Sequence, residues 1–438
     1  MEANERILDL SDPVDLLRLF DFHVVERGNH YVLYHAQTGT LWTAEKRDFR
    51  HAKISATITD LLRNVSKKAP TIGKAYQNIL ECRPSSKITL IVTTACNMKC
   101  SYCYASQGNY GLAEENMSRD VAIRAIDRLE SVFGKTDWIQ FFGGEPLLNA
   151  DVIKFVVEHL KKRHSDASFS INTNGTIVTE EIARFLGENM KTIYVSVDGP
   201  PDIHDLHRRF RRDARSWAVI MKNLRKLKEH LGKDAELLAE ATYTREHLQK
   251  GYSIVALREY FVNEMGFDDA QIVWASYPSS KDFEDLEWSK IEKLTTEFIE
   301  VCLNKSIHTS VLNERRMMFS KDHPCRLQPC TAGLFTLTVI PNGNIYPCFQ
   351  LVKDDLLMGN ILDDFFPDRR FRSVWKTLLH NSRFKCKECY SCWLRNVCTS
   401  CLGKRYTLNG NIHETIPREC ELNRKIGEQI IERIADEA

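Results

Sequence analysis

Three cysteines follow an apolar run in the segment ITLIVTTACNMKCSYCYA, where Cys96, Cys100 and Cys103 take the spacing C-x3-C-x2-C. Thiolates are soft metal ligands. Three are an incomplete set for a zinc tetrahedron but suit a [4Fe–4S] cluster with one iron left open, and an open iron can bind a substrate or cofactor. Nine more of the fourteen cysteines fall between Cys325 and Cys420, in the segments CRLQPC, PNGNIYPC and CKECYSCWLRNVCTSC and then Cys420 itself. Cys82 and Cys302 stand alone and read as small buried hydrophobes. The CxxC pairs of the second field also have the spacing of structural zinc. That leaves a zinc-ribbon interaction protein, without radical chemistry, as an alternative of another class.

Further polar motifs recur after successive apolar runs. FFGGEPLL carries Gly143, Gly144, Glu145 and Pro146, in which glycines allow close backbone approach and a carboxylate can accept from an ammonium. SINTNGT offers Asn172, Thr173 and Asn174 as short polar groups able to hold hydroxyls or a carboxylate. YVSVDGPPDIHDLHR supplies Ser196, Asp198 and Arg208. An arginine run continues from Arg208 to Arg215, a pattern more often found as a solvated helix start than as a site.

Taken in order, these segments resemble the radical S-adenosylmethionine (SAM) enzymes, with Tyr102 just before the third cysteine and Gly143–Pro146 matching the family's GGEP. The run from Ser196 through Asp198 to Arg208 resembles the branch that carries a SPASM domain. The resemblance implies that SAM chelates the open iron of the first cluster and is cleaved to a 5′-deoxyadenosyl radical. It also implies SAM-contacting roles for Tyr102, Gly143, Gly144, Glu145, Pro146, Asn172, Thr173, Asn174, Ser196, Asp198 and Arg208. The second cysteine field resembles the seven-cysteine SPASM pattern, departing from it in the two-residue gap before Cys401 where three is usual. Family logic assigns Cys325, Cys330, Cys348 and Cys401 to one auxiliary [4Fe–4S] cluster and Cys389, Cys392, Cys398 and Cys420 to a second. Cys386 is left as a free thiol, and the total is three clusters.

SPASM enzymes mostly act on peptides or proteins, so a precursor peptide is the expected partner, with flavodoxin or ferredoxin as electron donor. In sulfatase-maturating relatives an aspartate follows the cysteine matched by Cys348, whereas Phe349 and Gln350 stand here. The expected product is therefore a thioether or carbon–carbon crosslink in a ribosomally made peptide. Formylglycine formation, or another protein-modifying SPASM oxidation, is the alternative.

The elements that position these residues separate into three regions. Residues 1–84 read as a small α+β module: a helix candidate at Val14–Phe20, a hairpin in HYVLYHAQTGTLWTA and a helical stretch at Ile54–Leu80. It fits a leader-peptide-binding module or a hairpin that merely covers the barrel. Residues 85–310 alternate short apolar runs with amphipathic helices, the rhythm of βα units on a parallel sheet. The strand candidates are Ile88–Thr93, Trp138–Phe142, Ser168–Asn172, Thr192–Val197, Leu237–Thr242 and Gln271–Ala275. Six strands give a partial (β/α)6 barrel with its chemistry at the C-terminal strand ends. Glu240, Tyr243, Trp274 and Tyr277 are candidates for the cavity lining or the aromatic core. Residues 311–438 form a cysteine-rich region too poor in apolar runs to fold by burial alone, ending in a helix from Glu421 to Ile434, so metal binding would supply stability.

Composition agrees with this picture. Sixty Lys+Arg against fifty-nine Asp+Glu leave a formal charge of +1, which excludes a global field toward nucleic acid or an anionic membrane. No run approaches the roughly 18 apolar residues of a membrane helix, and the start, MEANERILDLSDP, lacks the build of a signal peptide. The expected location is the cytoplasm, where a disulfide framework is not maintained.

Overall fold

The computed structural model describes residues 17, 21–36, 40–49, 60–61, 86–164, 166–275, 288–304, 329–364, 366–383, 385–395, 397–398 and 400–436. Near the N-terminus three antiparallel strands, β1 (Phe22–Arg27), β2 (His30–His35) and β3 (Thr40–Glu45), form one small sheet in sequence order. The expected hairpin is β2–β3, with His30 opposite Glu45 and His35 opposite Thr40. β1 is an addition, joined through a turn in which Gly28 holds a φ of +50°, a region that costs glycine little. The two helix candidates of this region lie outside the described residues, except for Leu17, Asp60 and Leu61.

Six strands then build the parallel sheet: β4 (Ser86–Thr93), β5 (Thr136–Gly143), β6 (Ser168–Thr173), β7 (Thr192–Ser196), β8 (Glu236–Tyr243) and β9 (Asp269–Trp274). Each expected run falls on one of them. Between them pass α1 (Arg119–Phe133), α2 (Ala150–Arg163), α3 (Glu180–Asn189), α4 (Pro201–His207) and α5 (Trp217–Glu229). Ser118 and Thr179 start α1 and α3 by accepting from the amides of Val121 and Ile182, both at 3.2 Å, which satisfies donors the first turn leaves orphaned.

Strand alternation sorts the two faces of the sheet. Ile88, Leu90, Ile139, Phe141, Phe169, Ile171, Ile193 and Val195 join one buried core with Ile126, Leu129, Ile153, Val157, Leu186 and Ile220 of the helices. Burying each such side chain contributes about 1.5–3 kcal/mol. The alternate positions carry a polar ladder instead. Thr89 Oγ1 donates to Gln140 Oε1 (3.2 Å), Gln140 Nε2 to Asn172 Oδ1 (2.7 Å), and Asn172 Nδ2 to Glu240 Oε2 (2.9 Å). Polar groups taken from water here keep partners, as burial demands.

The sheet does not stop at six strands. β10 (Thr336–Val339) lies parallel on β4, with Leu337 opposite Ile88 and Val339 opposite Leu90, and β11 (Asn344–Tyr346) and β12 (Gly359–Asn360) follow antiparallel. The order is β12-β11-β10-β4-β5-β6-β7-β8-β9, an open curved sheet rather than a closed barrel. Thus the cysteine-rich region supplies strands to the parallel sheet, which its weak periodicity did not announce. Its helices are α7 (Arg369–His380), α8 (Leu402–Asn409) and α9 (Pro417–Asp436), while α6 (Trp288–Asn304) precedes it. No helix among the described residues is long and apolar enough to cross a membrane.

Candidate active site

β4 ends at Thr93 and the chain runs straight into the first cysteines. Two backbone bonds tie this segment to the turn after β5: Gly144 N donates to Thr93 O and Glu145 N to Ala95 O, both at 2.9 Å. The two glycines are there for this approach. A Cβ on Gly143 would stand 2.3 Å from Thr93 O, and one on Gly144 would stand 2.2 Å from Ala95 O, so no side chain fits at either place. The backbone leading into Cys96 is therefore a close neighbour of both glycines. Gly108, which belongs to no motif, packs in the same layer, 2.5 Å from Gly144 Cα to its would-be Cβ.

Glu145 is fully buried. Its carboxylate accepts from Thr173 Oγ1 (2.7 Å), Asn174 N (2.7 Å) and Leu147 N (3.1 Å), so both oxygens hold polypeptide and fix the turn after β6. Burial pushes its pKa up to about 7, with the bond from the Asn174 amide pulling the other way. Pro146 is buried behind it and opens a short 3-10 turn. Asn174 is equally committed, donating to Asn97 Oδ1 (2.9 Å) and accepting from Thr176 N (2.9 Å) and Thr176 Oγ1 (2.6 Å).

Asp198, just beyond β7, joins two other expected residues. Its Oδ1 accepts from Arg208 Nε (3.0 Å) and Thr242 N (3.0 Å), and its Oδ2 accepts from the Tyr102 hydroxyl in a short bond. The guanidinium carbon of Arg208 stands 5.4 Å from the Tyr102 ring centre. Burial opposes the Asp198 charge, but Arg208, His204 and the bonds from Tyr102 and the Thr242 amide together outweigh it and hold the carboxyl below its ordinary range. This buried trio fastens the cysteine loop to the end of β7. On its outer side the loop pairs antiparallel with the segment after α4. Lys99 N donates to Arg209 O (2.8 Å), Ser101 N to His207 O (3.1 Å) and Arg211 N to Asn97 O (3.2 Å). Ser101 Oγ and His207 Nδ1 are 2.7 Å apart, and His207 Nε2 lies 2.9 Å from Glu246.

A cavity of about 490 Å³ opens over these strand ends, lined by Cys96, Cys100, Cys103, Tyr102, Gly143, Gly144, Asn172, Thr173, Asn174, Ser196 and Arg208. Glu240 and Trp274 line it too, whereas Tyr243 is buried and Tyr277 lies outside the described residues. Glu145, Pro146 and Asp198 stand behind the wall. The far wall comes from the second cysteine field, through Phe349, Gln350, Cys401, Lys404 and Thr407. Phe349 stacks on Phe142 with ring centres 4.5 Å apart. No spacing rule places Gln350, Lys404 and Thr407 at this cavity, because tertiary packing across 50 residues or more brings them there.

Cys401 faces Cys330 and Cys348. Burial pushes Cys348 up to about 12, with Cys330 and Cys401 adding to the rise. Cys325, their expected companion, lies outside the described residues. Cys389, Cys392, Cys398 and Cys420 line a second cavity of about 210 Å³ together with Arg383, Arg395, Arg405 and Arg424. Cys386 lies beside Cys389 and donates to Glu388 Oε2 at 3.1 Å, outside that lining.

The first triad meets the chemistry of an iron–sulfur site. Burial pushes the Cys96 thiol up to about 12 and the Cys100 thiol up to about 11, with neighbouring thiols contributing; such sulfurs lose their protons to a metal. Among the described residues no group of three or more His, Cys, Asp or Glu side chains forms a site for a single metal ion. The three sulfurs share one cavity wall, and the Arg208 guanidinium, paired with Asp198, lies beside Cys100.

Comparison with known proteins agrees. The Radical SAM superfamily matches residues 90–239. A cysteine-type anaerobic sulfatase-maturating enzyme of Clostridium novyi is 24% identical over 312 residues, covering 67% of this chain and 82% of that protein. The radical SAM cyclopropyl synthase TigE of Paramaledivibacter caminithermalis is 25% identical over 367 residues, covering 79% and 74%. Among solved structures, native anSMEcpe with bound AdoMet superposes with a TM-score of 0.64 at 21% identity, over 80% of this chain and 98% of that one. Streptococcus suis SuiB bound to precursor peptide SuiA gives 0.51 at 15% identity, over 87% and 94%. Fold, cysteine loop and these matches together make residues 90–239 a radical SAM domain and the chain an enzyme.

Proposed function

We propose that the enzyme acts on a precursor peptide, removing hydrogen from an unactivated carbon and closing a thioether or carbon–carbon crosslink. The observation that carries this reading is the shared cavity, whose wall holds the first triad and also Cys401 of the second field. When bound, a [4Fe–4S] cluster on Cys96, Cys100 and Cys103, with SAM at its open iron, supplies a one-electron cleavage that delivers an alkyl radical. The chain's own residues set the stage for it. Gly143 and Gly144 hold the cysteine loop against β5, Asp198 and Tyr102 fix its far end, and Ser196, Asn172 and Thr173 offer polar edges to the cofactor.

Two further clusters are part of the proposal, one on Cys325, Cys330, Cys348 and Cys401, the other on Cys389, Cys392, Cys398 and Cys420. The first would adjoin the substrate space and accept the electron released when a substrate radical is oxidised. In the N-terminal sheet β3 has no partner strand on its outer side among the described residues, which supports β-strand addition of an extended leader segment there.

Formylglycine formation is the second reading, favoured by the similarity to the sulfatase-maturating enzyme. Against it stands the residue after Cys348: Phe349 stacks on Phe142, and Gln350 accepts from Cys401 at 3.3 Å, so no carboxylate occupies that place.

Protein purified without oxygen should be brown and carry more than about eight irons per chain; fewer would sink the three-cluster version. Changing Cys96, Cys100 and Cys103 together to alanine should abolish 5′-deoxyadenosine formation with dithionite, and undiminished SAM cleavage would refute their role. Mass spectrometry of a candidate precursor peptide then separates the readings. Loss of two hydrogens with a new backbone-resistant link marks a crosslink, while conversion of a single cysteine or serine to an aldehyde marks formylglycine.

A further inference from the structure

The arginine run of RRFRRDAR has no place in the cavity. Arg208 is consumed by the buried pair with Asp198, but Arg209, Arg211, Arg212 and Arg215 are absent from the cavity wall. Instead their segment is hydrogen-bonded to residues 97–101, the outer side of the cysteine loop, at the roughly 5 Å spacing of paired strands. Ser101, between Cys100 and Tyr102, is exposed at this surface, as are Arg211, Arg212 and Arg215.

The charges here are only partly compensated. Lys99 and Arg209 share Asp213, at 3.1 and 3.3 Å, and Arg211 pairs with Glu114. Arg212 and Arg215 have no ion-pair partner among the described residues. Asp205 adds a third carboxylate, accepting from Ser216 N at 3.0 Å, so five cations against three carboxylates leave a local positive excess on a chain whose formal charge is +1. Such a field steers an acidic partner and raises its association rate.

We infer that the Arg209–Arg215 segment is the docking face for an acidic one-electron carrier protein that reduces the cluster held by Cys96, Cys100 and Cys103. The inference rests on the radical SAM reading, which requires one electron per SAM cleaved. A carrier seated here is one strand spacing from the cysteine loop, whereas a substrate in the cavity meets Arg208 and not the exposed arginines. The step moves one electron from the carrier's reduced flavin or iron–sulfur centre to the cluster. No bond forms or breaks.

The test compares full-length holoenzyme with Arg212→Glu/Arg215→Glu and Arg212→Lys/Arg215→Lys, all with matched iron content and circular dichroism. Cluster bleaching and 5′-deoxyadenosine are followed with two reductants, dithionite and an acidic bacterial flavodoxin in its hydroquinone form. Charge reversal should slow flavodoxin-driven reduction about tenfold or more at low salt and leave the dithionite rate unchanged. The lysine variant should stay near wild type, and wild-type flavodoxin rates should fall as ionic strength rises. An unchanged flavodoxin rate in the glutamate variant would overturn the inference. So would a defect confined to dithionite-driven peptide turnover, which would assign the face to an acidic substrate. Wild-type holoenzyme that fails to cleave SAM even with dithionite would instead refute the radical SAM reading beneath it.

Discussion

Asp198 shows how much of this site is built from one buried charge. It neutralises Arg208, receives the Tyr102 hydroxyl and accepts the Thr242 amide, all away from water. Removing one partner of such a pair leaves the other uncompensated, which costs about 3–5 kcal/mol. Asp198→Asn should therefore lower urea-derived stability by that order at neutral pH. The sign with pH follows from the depressed carboxyl: its folded pKa lies below the unfolded value near 3.9. The contribution is complete above that unfolded value and disappears as pH falls through the lower folded one. The gap between wild type and Asp198→Asn should narrow only in that acid window, and a gap that stays constant down to the acid limit would show that the charge contributes nothing. Tyr102, Asp198 and Arg208 were all visible in the sequence as motif residues. Their mutual contact was not, because each lies on a different element and only the strand order brings them together.

At the level of elements, β10 links the cysteine-rich region to the strand that leads into the first triad. Thr338 is its central residue, opposite Thr89 on one side and Tyr346 on the other. Its hydroxyl is buried with no hydrogen-bond partner among the described residues, an arrangement that costs about 1–3 kcal/mol. Thr338→Val keeps the shape and removes the orphan, so it should raise stability by about 1 kcal/mol. Thr338→Pro removes a ladder donor and should cost about 3 kcal/mol. Hydrogen exchange at Thr89 and Leu90 reads the coupling: the proline variant should lose protection there and retain less iron at the first triad, whereas unaltered protection would mean that β4 does not depend on β10. The six parallel strands were legible because each is a short run bounded by turns, with apolar residues on the face that packs against the helices. β10–β12 were not, since Thr336–Val339 and Asn344–Tyr346 are too short to show a period. Gln350 and Lys404 were illegible for a related reason, as packing between regions and no local pattern sets them at the cavity.

Across the whole molecule, the N-terminal sheet and the second cysteine field form one packed unit. Trp393 is the hinge of that contact, stacked on His23 with ring centres 3.8 Å apart and planes 8° from parallel, and edge-on to Tyr34 at 5.8 Å. Val32 and Tyr34 of β2 share a core with Leu394, Val397, Ile426, Ile430 and Ile431. Gly427 lets α9 close on the indole, since a Cβ there would lie 2.8 Å from Trp393 Cη2. The ion pairs of Arg27 with Glu432 and Asp436, both at 3.4 Å, are exposed and add little. Because Trp393 directly follows Cys392, whatever orders the four-thiol cavity also orders the surface on which β1 and β2 rest. Trp393→Ala should cost about 3–5 kcal/mol and expose the N-terminal region to limited proteolysis before the parallel sheet. If the proposed cluster on Cys389, Cys392, Cys398 and Cys420 is present, chelating its iron should act in the same direction, raising hydrogen exchange at Val24, Val32 and Leu33 while the centres of β5 and β6 stay protected. Trp393→Phe, which keeps a stacking ring, should preserve most of that protection. Exchange at β1 and β2 that is indifferent to both iron removal and the indole would show that the sheet is held independently of the cysteine field.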